Sequence, residues 1–444
     1  MICHPLLLLL SDQAHSQSVD HRLLHRWKRQ GSLTCCHLTT TIDLQMKGTN
    51  NEDALSVQRL CQNLPHDVAN KEPSSFMMPA EWTSHQACLI LFPHNAQTYR
   101  LGPAQKQVLN VAKAIANQGN ETVHLLVKDA ATIETHFLNW DEPRIQLHIC
   151  PSDDTWVRDT GPTCCLWKQG GNATPVVVGV DWDFNAYGGP EEGCYWPCDL
   201  DRKIAARVCR EIVQIPSFSV PMVLEGGSIH TDGEGTLLVT KECLLNPNRN
   251  PSLSQEIIDG VLKQSLGVQV VIWLPLGLDA DDDTNGHVDN FCCFTEPGHV
   301  VLAWTDDETN DLGNYQRCRS ALEVLSSIGD AKGRSIQVHK LPVPSPPLRY
   351  TKEEAESLKG PDPAVVARQP GEKMAASYVN FYIANDAVVV PQFDVPTDAQ
   401  AIAILQERFP SRAVVGVSSR EILLGGGNIH CITQQIPVDP SNAE

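Results

Sequence analysis

Two short segments two hundred residues apart, LEGGSIH at 224–230 and LGGGNIH at 424–430, carry Leu, Gly, Gly, Ile and His in the same places. Each follows a helix-like stretch and an apolar run, so the match falls at equivalent points of two structural units and indicates an internal repeat. Such a repeat constrains a fold tightly, because every copy must supply the same supersecondary unit and bury its apolar face against its neighbours.

The rest of the chain has the same rhythm. Amphipathic helices are expected at 103–119, 201–213, 252–267, 314–329 and 397–409, each followed by an apolar or β-branched run at 122–127, 211–215, 268–274, 335–341 and 413–417. Ser252 with Gln255 and Thr397 with Gln400 have capping-box spacing, and Gly119 and Gly267 stand where helix C-caps favour glycine. Further strands are expected at 174–182, 236–240 and 299–304, with a hairpin around Asn385-Asp386. The pattern predicts an α/β fold, a ring of about five similar units whose post-strand loops converge on one centre.

Formal net charge is -19, which excludes nucleic acid and anionic membrane as main partners and suits a cationic one. The acidity belongs to residues beyond 76, since residues 1–76 hold seven basic and seven acidic side chains. Residues 1–75 lack a sustained apolar period and read as a disordered extension, leaving 76–440 as a single domain. No apolar run is long enough to span a bilayer, and the short run near the start is preceded by no Lys or Arg, unlike a secretory signal. Of the sixteen cysteines, Cys35-Cys36, Cys164-Cys165 and Cys292-Cys293 are vicinal; with no secretory signal, reduced thiols in the cytoplasm are expected.

Reactive side chains recur in four segments: DDTWVRDTGP (153–162), LEGGSIHTDGEG (224–235), DDDTNGHVDN (281–290) and GGGNIHC (425–431). Each has a bland reading alone: Asp159 as a turn cap, Glu225 as a loop acid, Cys431 as a small buried hydrophobe. A calcium loop starting at Asp279 fails, with Thr284 at its sixth place and Asn290 at its twelfth. A zinc set of His287, Asp289, Cys292 and Cys293 lacks a second ligand pair at finger-like spacing. Taken together, Cys431 offers a nucleophile, His287 a proton shuttle, Glu225 a partner for that imidazole, and Asp159 and Asp289 two anionic acceptors that suit the planar fork of a guanidinium. The glycines at 425–427 allow the backbone to pass close to a planar group, or only a bulge.

The segments MPAEW, WVRDTGP, FNAYGG, LEGGSIHTDGEG, NRNP, DTNGHVDN, WTDDET, ASYVNFYIAN and GGGNIHCITQQ, in this order over about 76–440, resemble the agmatine deiminase family, plant-type in detail, within the guanidine-modifying pentein superfamily. The resemblance implies a five-bladed α/β propeller of ββαβ modules, and hydrolysis of agmatine to N-carbamoylputrescine and ammonia on the way to putrescine and the polyamines, with no metal or organic cofactor. It implies Cys431 as nucleophile, His287 as acid and base, Glu225 as its partner, Asp159 and Asp289 as the guanidinium clamp, and Trp156 as a wall of the pocket; the glycine run itself places Gly427 as the expected residue beside the substrate. Oligomers occur in the family, so a homo-oligomer is compatible.

Free arginine and peptidyl-arginine would need the same catalytic set, and the tail of the substrate has to discriminate. The ammonium of agmatine needs an acid, for which Asp283 is the sequence candidate; arginine would need a cation for its carboxylate. Two rivals remain at this level: a propeller that binds a guanidine or a partner without catalysis, and a papain-like protease, which lacks a CGSCW-like segment.

Overall fold

Five parallel strand pairs organise the chain: His85–Leu91 with Thr122–Val127, Val176–Asp183 with Ser217–Val223, Thr236–Thr240 with Val270–Leu274, His299–Trp304 with Gln337–Pro342, and Ala387–Gln392 with Ala413–Ser418. A parallel pair needs a crossover, and helices Leu101–Asn117, Gln255–Leu266, Leu312–Ser327 and Thr397–Arg408 supply four of them. The fifth is a helical run from Asp201 to Ile212 that passes from 3₁₀ through α to π geometry. On the other edge of each first strand lies one antiparallel strand, respectively Thr433–Pro437, Thr163–Trp167, Ile229–Thr231, Cys292–Glu296 and Tyr382–Ile383. The repeat expected from sequence is thus realised in five sheets of one pattern, two of them widened by Phe76–Met77 and Ile145–Ile149.

The computed structural model describes residues 51–63, 75–168, 173–358 and 367–442, all within one compact unit, 46–444. The inner strands Thr236–Thr240, His299–Trp304 and Ala387–Gln392 are covered on both faces, which is why they read as unbroken apolar runs, whereas Ser217–Val223, Gln337–Pro342 and Ala413–Ser418 are partly exposed. Helix Leu101–Asn117, for example, buries Val108, Val111 and Ile115 in the same apolar cluster as Val123 and Leu125. No helix among the described residues is long and apolar enough to cross a membrane, and the thirteen described cysteines are all free.

Several expectations are corrected. Residues 211–215 are not a strand: the helix runs on to Ile212 and the strand is Ser217–Val223. The helix after 252 is capped by Ser254, whose side chain accepts from Ile257 N, rather than by Ser252. Thr397 forms no capping box, its hydroxyl lying 2.9 Å from Tyr378 Oη instead. Gly267 is the expected left-handed C-cap at φ 71°, and a side chain there would strike Phe76 O.

The extension expected over 1–75 is structured at 51–63. Helix Asn51–Leu60 buries Val57 in one apolar cluster with Ile258 and Val261 of Gln255–Leu266, and the adjoining Cys61 lies in the same cluster. A Cβ at Gly260 would come within 2.7 Å of Val57, so the glycine makes room for the packing. One narrow apolar stripe on an otherwise polar helix gives too little periodicity to be read from sequence. Residues 1–50 and 64–74, where the rest of that expectation falls, lie outside the described residues.

Candidate active site

The loops leaving the second strand of four parallel pairs, and the loop after Ile145–Ile149, meet at one cleft of about 540 Å³. Asp154, Trp156 and Asp159 follow Ile145–Ile149; Glu225 and Gly227 follow Ser217–Val223; Asp283, His287 and Asp289 follow Val270–Leu274. Arg368 and Asn380 follow Gln337–Pro342, and Gly427 and Cys431 follow Ala413–Ser418. Trp156, Asp159, Asp283, Gly427 and Cys431 line the cleft, while Glu225, His287 and Asp289 are buried in the same place.

Cys431 Sγ lies 3.6 Å from Asp289 Oδ2 and accepts from Asn380 Nδ2 at 3.1 Å. Burial pushes its thiol well above the ordinary range, and the Asp289 and Asp159 carboxylates push it further. Asp159 accepts from Tyr187 Oη and Gly227 N, each at 2.8 Å, and burial raises its carboxyl. His287 Nδ1 is 3.9 Å from Asp159 Oδ1. Burial opposes the imidazolium, yet Asp159, Cys243 and Asp289 together outweigh it and hold His287 well above its usual value.

Glu225, expected to partner His287, lies near it and is also held by an arginine. Its Oε1 accepts from Arg249 Nε at 2.5 Å, with both side chains fully buried. Its Oε2 and both ring nitrogens of His287 form no hydrogen bond within the described residues. Glu225, His287 and Cys243 have donor atoms within 4.8 Å of one another, the one such trio among the described residues that could hold a metal ion. The zinc set of His287, Asp289, Cys292 and Cys293 is not assembled.

Asp283 does reach the cleft, but Arg368 takes both its oxygens, Nη1 to Oδ1 at 2.9 Å and Nη2 to Oδ2 at 2.6 Å. A carboxylate engaged in a bidentate ion pair is poorly available to a ligand ammonium.

The duplicated motif acquires a physical meaning here. A Cβ at Gly227 would lie 2.6 Å from His287 Nδ1 and 2.8 Å from Asp289 Oδ2, and one at the equivalent Gly427 would lie 2.6 Å from Trp156 and 3.0 Å from Cys431 Sγ. The equivalent histidines converge too: His430 Nε2 is 3.0 Å from both oxygens of Glu81, and His230 Nε2 is 3.6 Å from it.

Residues 77–437 match the family model described as Porphyromonas-type peptidyl-arginine deiminase. The chain is 49% identical over 365 residues to the agmatine deiminase of Pseudomonas fluorescens, covering 82% of this chain and 95% of that one. The chain belongs to the agmatine deiminase family. A plant relative, the agmatine deiminase of Medicago truncatula, is 47% identical over 373 residues, covering 82% of this chain and 96% of its own. The solved agmatine deiminase of Enterococcus faecalis superposes with a TM-score of 0.74 at 37% identity, covering 82% of this chain and 96% of the other.

Within this agmatine deiminase family member, four segments that carried the resemblance without an assigned role each supply a buried group. Glu81 comes from MPAEW, Tyr187 from FNAYGG, Arg249 from NRNP and Asn380 from ASYVNFYIAN. A charged or polar residue inside a compact motif was the available signal. Its partners, far away in sequence, could not be read. Arg368 and Cys243 gave no sequence signal.

Proposed function

We propose that the chain hydrolyses agmatine to N-carbamoylputrescine and ammonia through a covalent Cys431 thiouronium, in a single catalytic domain over 76–440, as a step toward putrescine and the polyamines. The five equivalent sheets favour a five-bladed propeller with the cleft at its centre. Reduced cysteines suit a cytoplasmic setting.

The charge of the cleft carries this reading. Asp154, Asp159 and Asp283 line it against one cation, Arg368, which is already paired with Asp283. Asp154 is left without a counter-ion and Asp159 faces only the His287 imidazolium, 3.9 Å away, which fits a dication with a guanidinium at one end and an ammonium at the other. Free arginine would bring a carboxylate to a cleft whose described residues hold no unpaired cation for it.

The guanidinium settles between Asp159 and Asp289 and neutralises the two charges that keep the Cys431 thiol protonated, so the proton leaves to solvent. The thiolate attacks the guanidinium carbon. The His287 imidazolium protonates the departing nitrogen, ammonia leaves, and the C–S bond remains as a thiouronium. Neutral His287 then takes a proton from water as the oxygen adds to the same carbon. Collapse breaks the C–S bond, returns the thiolate and releases the ureido product, with the excess proton carried off by ammonia as ammonium. Asn380, donating to Cys431 Sγ, stabilises the thiolate at both ends of the cycle.

Ammonia release by the full chain with agmatine, arginine and an arginine-containing peptide in parallel, beside Cys431→Ala, tests the proposal. Release from agmatine alone, lost in the variant, is expected. Release chiefly from arginine or the peptide overturns the substrate.

A further inference from the structure

The distal ammonium of the substrate needs an acceptor that Asp283, held by Arg368, does not offer. Asp154 lines the same cleft and is 1% exposed. Its Oδ2 accepts from Thr98 Oγ1 at 2.8 Å and its Oδ1 from Thr155 Oγ1 at 3.0 Å. No Lys, Arg or His among the described residues pairs with it. A buried carboxylate with neutral donors and no cationic partner is costly, and burial pushes Asp154 up to about 6.

A second, independent observation points the same way. Gln97, next to Thr98 in sequence, also lines the cleft, and its Oε1 is buried with no hydrogen-bond donor. An ammonium has three N–H donors, and this end of the cleft presents a charged acceptor and an unused neutral one.

The glycine run connects the two ends. Gly427 abuts Cys431 and Trp156; a Cβ at Gly425 would meet Tyr99 at 2.7 Å and Thr98 at 3.1 Å, and Thr98 is the residue that holds Asp154. The run is a turn, with Gly426 at φ 108°, so its two ends lie no further apart than the roughly 7 Å of two extended residues, the scale of a chain of four methylenes. The Tyr99 and Trp156 rings, 5.7 Å apart, pack on this stretch. The geometry points to Asp154 and Gln97 as the subsite for the substrate ammonium, with the methylene chain laid along Gly425–Gly427 and the guanidinium beside Cys431. This subsite rests on the agmatine reading above and names the residues that make it selective.

The test compares kcat/KM for agmatine with that for n-butylguanidine, which keeps the guanidinium and four carbons but lacks the ammonium. In Asp154→Asn the agmatine value should fall about 100-fold, the size of a lost charge-assisted hydrogen bond, while butylguanidine changes far less. Gln97→Leu should give a smaller loss of the same kind, and it carries the comparison should Asp154→Asn fail to fold. Equal losses on both substrates, or loss of discrimination in Asp283→Asn but not in Asp154→Asn, would overturn the subsite and leave the agmatine reading standing. A wild-type enzyme inactive on agmatine would remove both.

Discussion

His430 places Nδ1 2.8 Å from Asp289 Oδ2 and Nε2 3.0 Å from both Glu81 oxygens, so one buried imidazole spans two carboxylates beneath the nucleophile. Burial would raise the Asp289 carboxyl, but the His430 hydrogen bond and charge, with the His287 and Arg158 charges, more than offset this and keep it below its ordinary value. Burial and Arg158 disfavour the charged His430, which Glu81 and Asp289 nevertheless hold above its usual value. His430→Asn should therefore free Asp289 to take up a proton at higher pH. The acid limb of kcat/KM for agmatine moves upward and the plateau falls about tenfold or more. An unmoved acid limb would show that Asp289 is held ionised by something else.

Gly427→Ala puts a methyl 2.6 Å from Trp156 and 3.0 Å from the Cys431 sulfur. The indole or the thiol has to move, and a displaced nucleophile should lower kcat about 100-fold while circular dichroism stays unchanged. Gly227→Ala, pressing on His287 and Asp289, should be at least as damaging. Full activity in either would leave only the bulge reading of these glycines.

Binding should tighten with pH. Asp154 is pushed up to about 6 by burial, and its neighbours Thr98, Thr155 and Asp201 bring no positive charge. Its raised pKa means that the folded protein holds this proton more firmly than the unfolded chain. The associated stability is full below the ordinary carboxylate range and is lost as pH rises through about 6. A bound ammonium replaces that proton. In Cys431→Ala the thermal stabilisation by agmatine should thus grow between about pH 5 and about pH 7, and Asp154→Asn should flatten the dependence. A wild-type-like slope in the double variant would assign the titration elsewhere.

Val57 tests whether residues 51–63 belong to the folded body. It is 3% exposed against helix Gln255–Leu266, so Val57→Ala should cost about 2 kcal/mol in urea unfolding. Deleting residues 1–74 should lower stability further than deleting 1–50. Equal stability of the two truncations would mean that the helix contributes nothing.

Much of this architecture was legible because it repeats. TVHLLV, TLLVT and HVVLAW are strands at the residues expected, since a strand covered on both faces writes itself as an apolar run. EIVQI misled for the same reason: a π turn also buries apolar residues, and periodicity over five residues cannot tell the two apart. In the site, Cys431, His287, Asp159 and Asp289 stood out as reactive types in compact motifs. Pairing did not. That Glu225 is taken by Arg249 and Asp283 by Arg368 depends on contacts 24 and 85 residues apart, which one sequence does not encode visibly.

Rapid acid quench of the enzyme with agmatine, followed by mass spectrometry of the peptides, reads the Cys431 thiouronium itself. A transient adduct of agmatine less ammonia is expected on the peptide bearing Cys431, and none in Cys431→Ala. Product formed at the full rate with no adduct on that peptide, or an adduct on another cysteine such as Cys243, would contradict it.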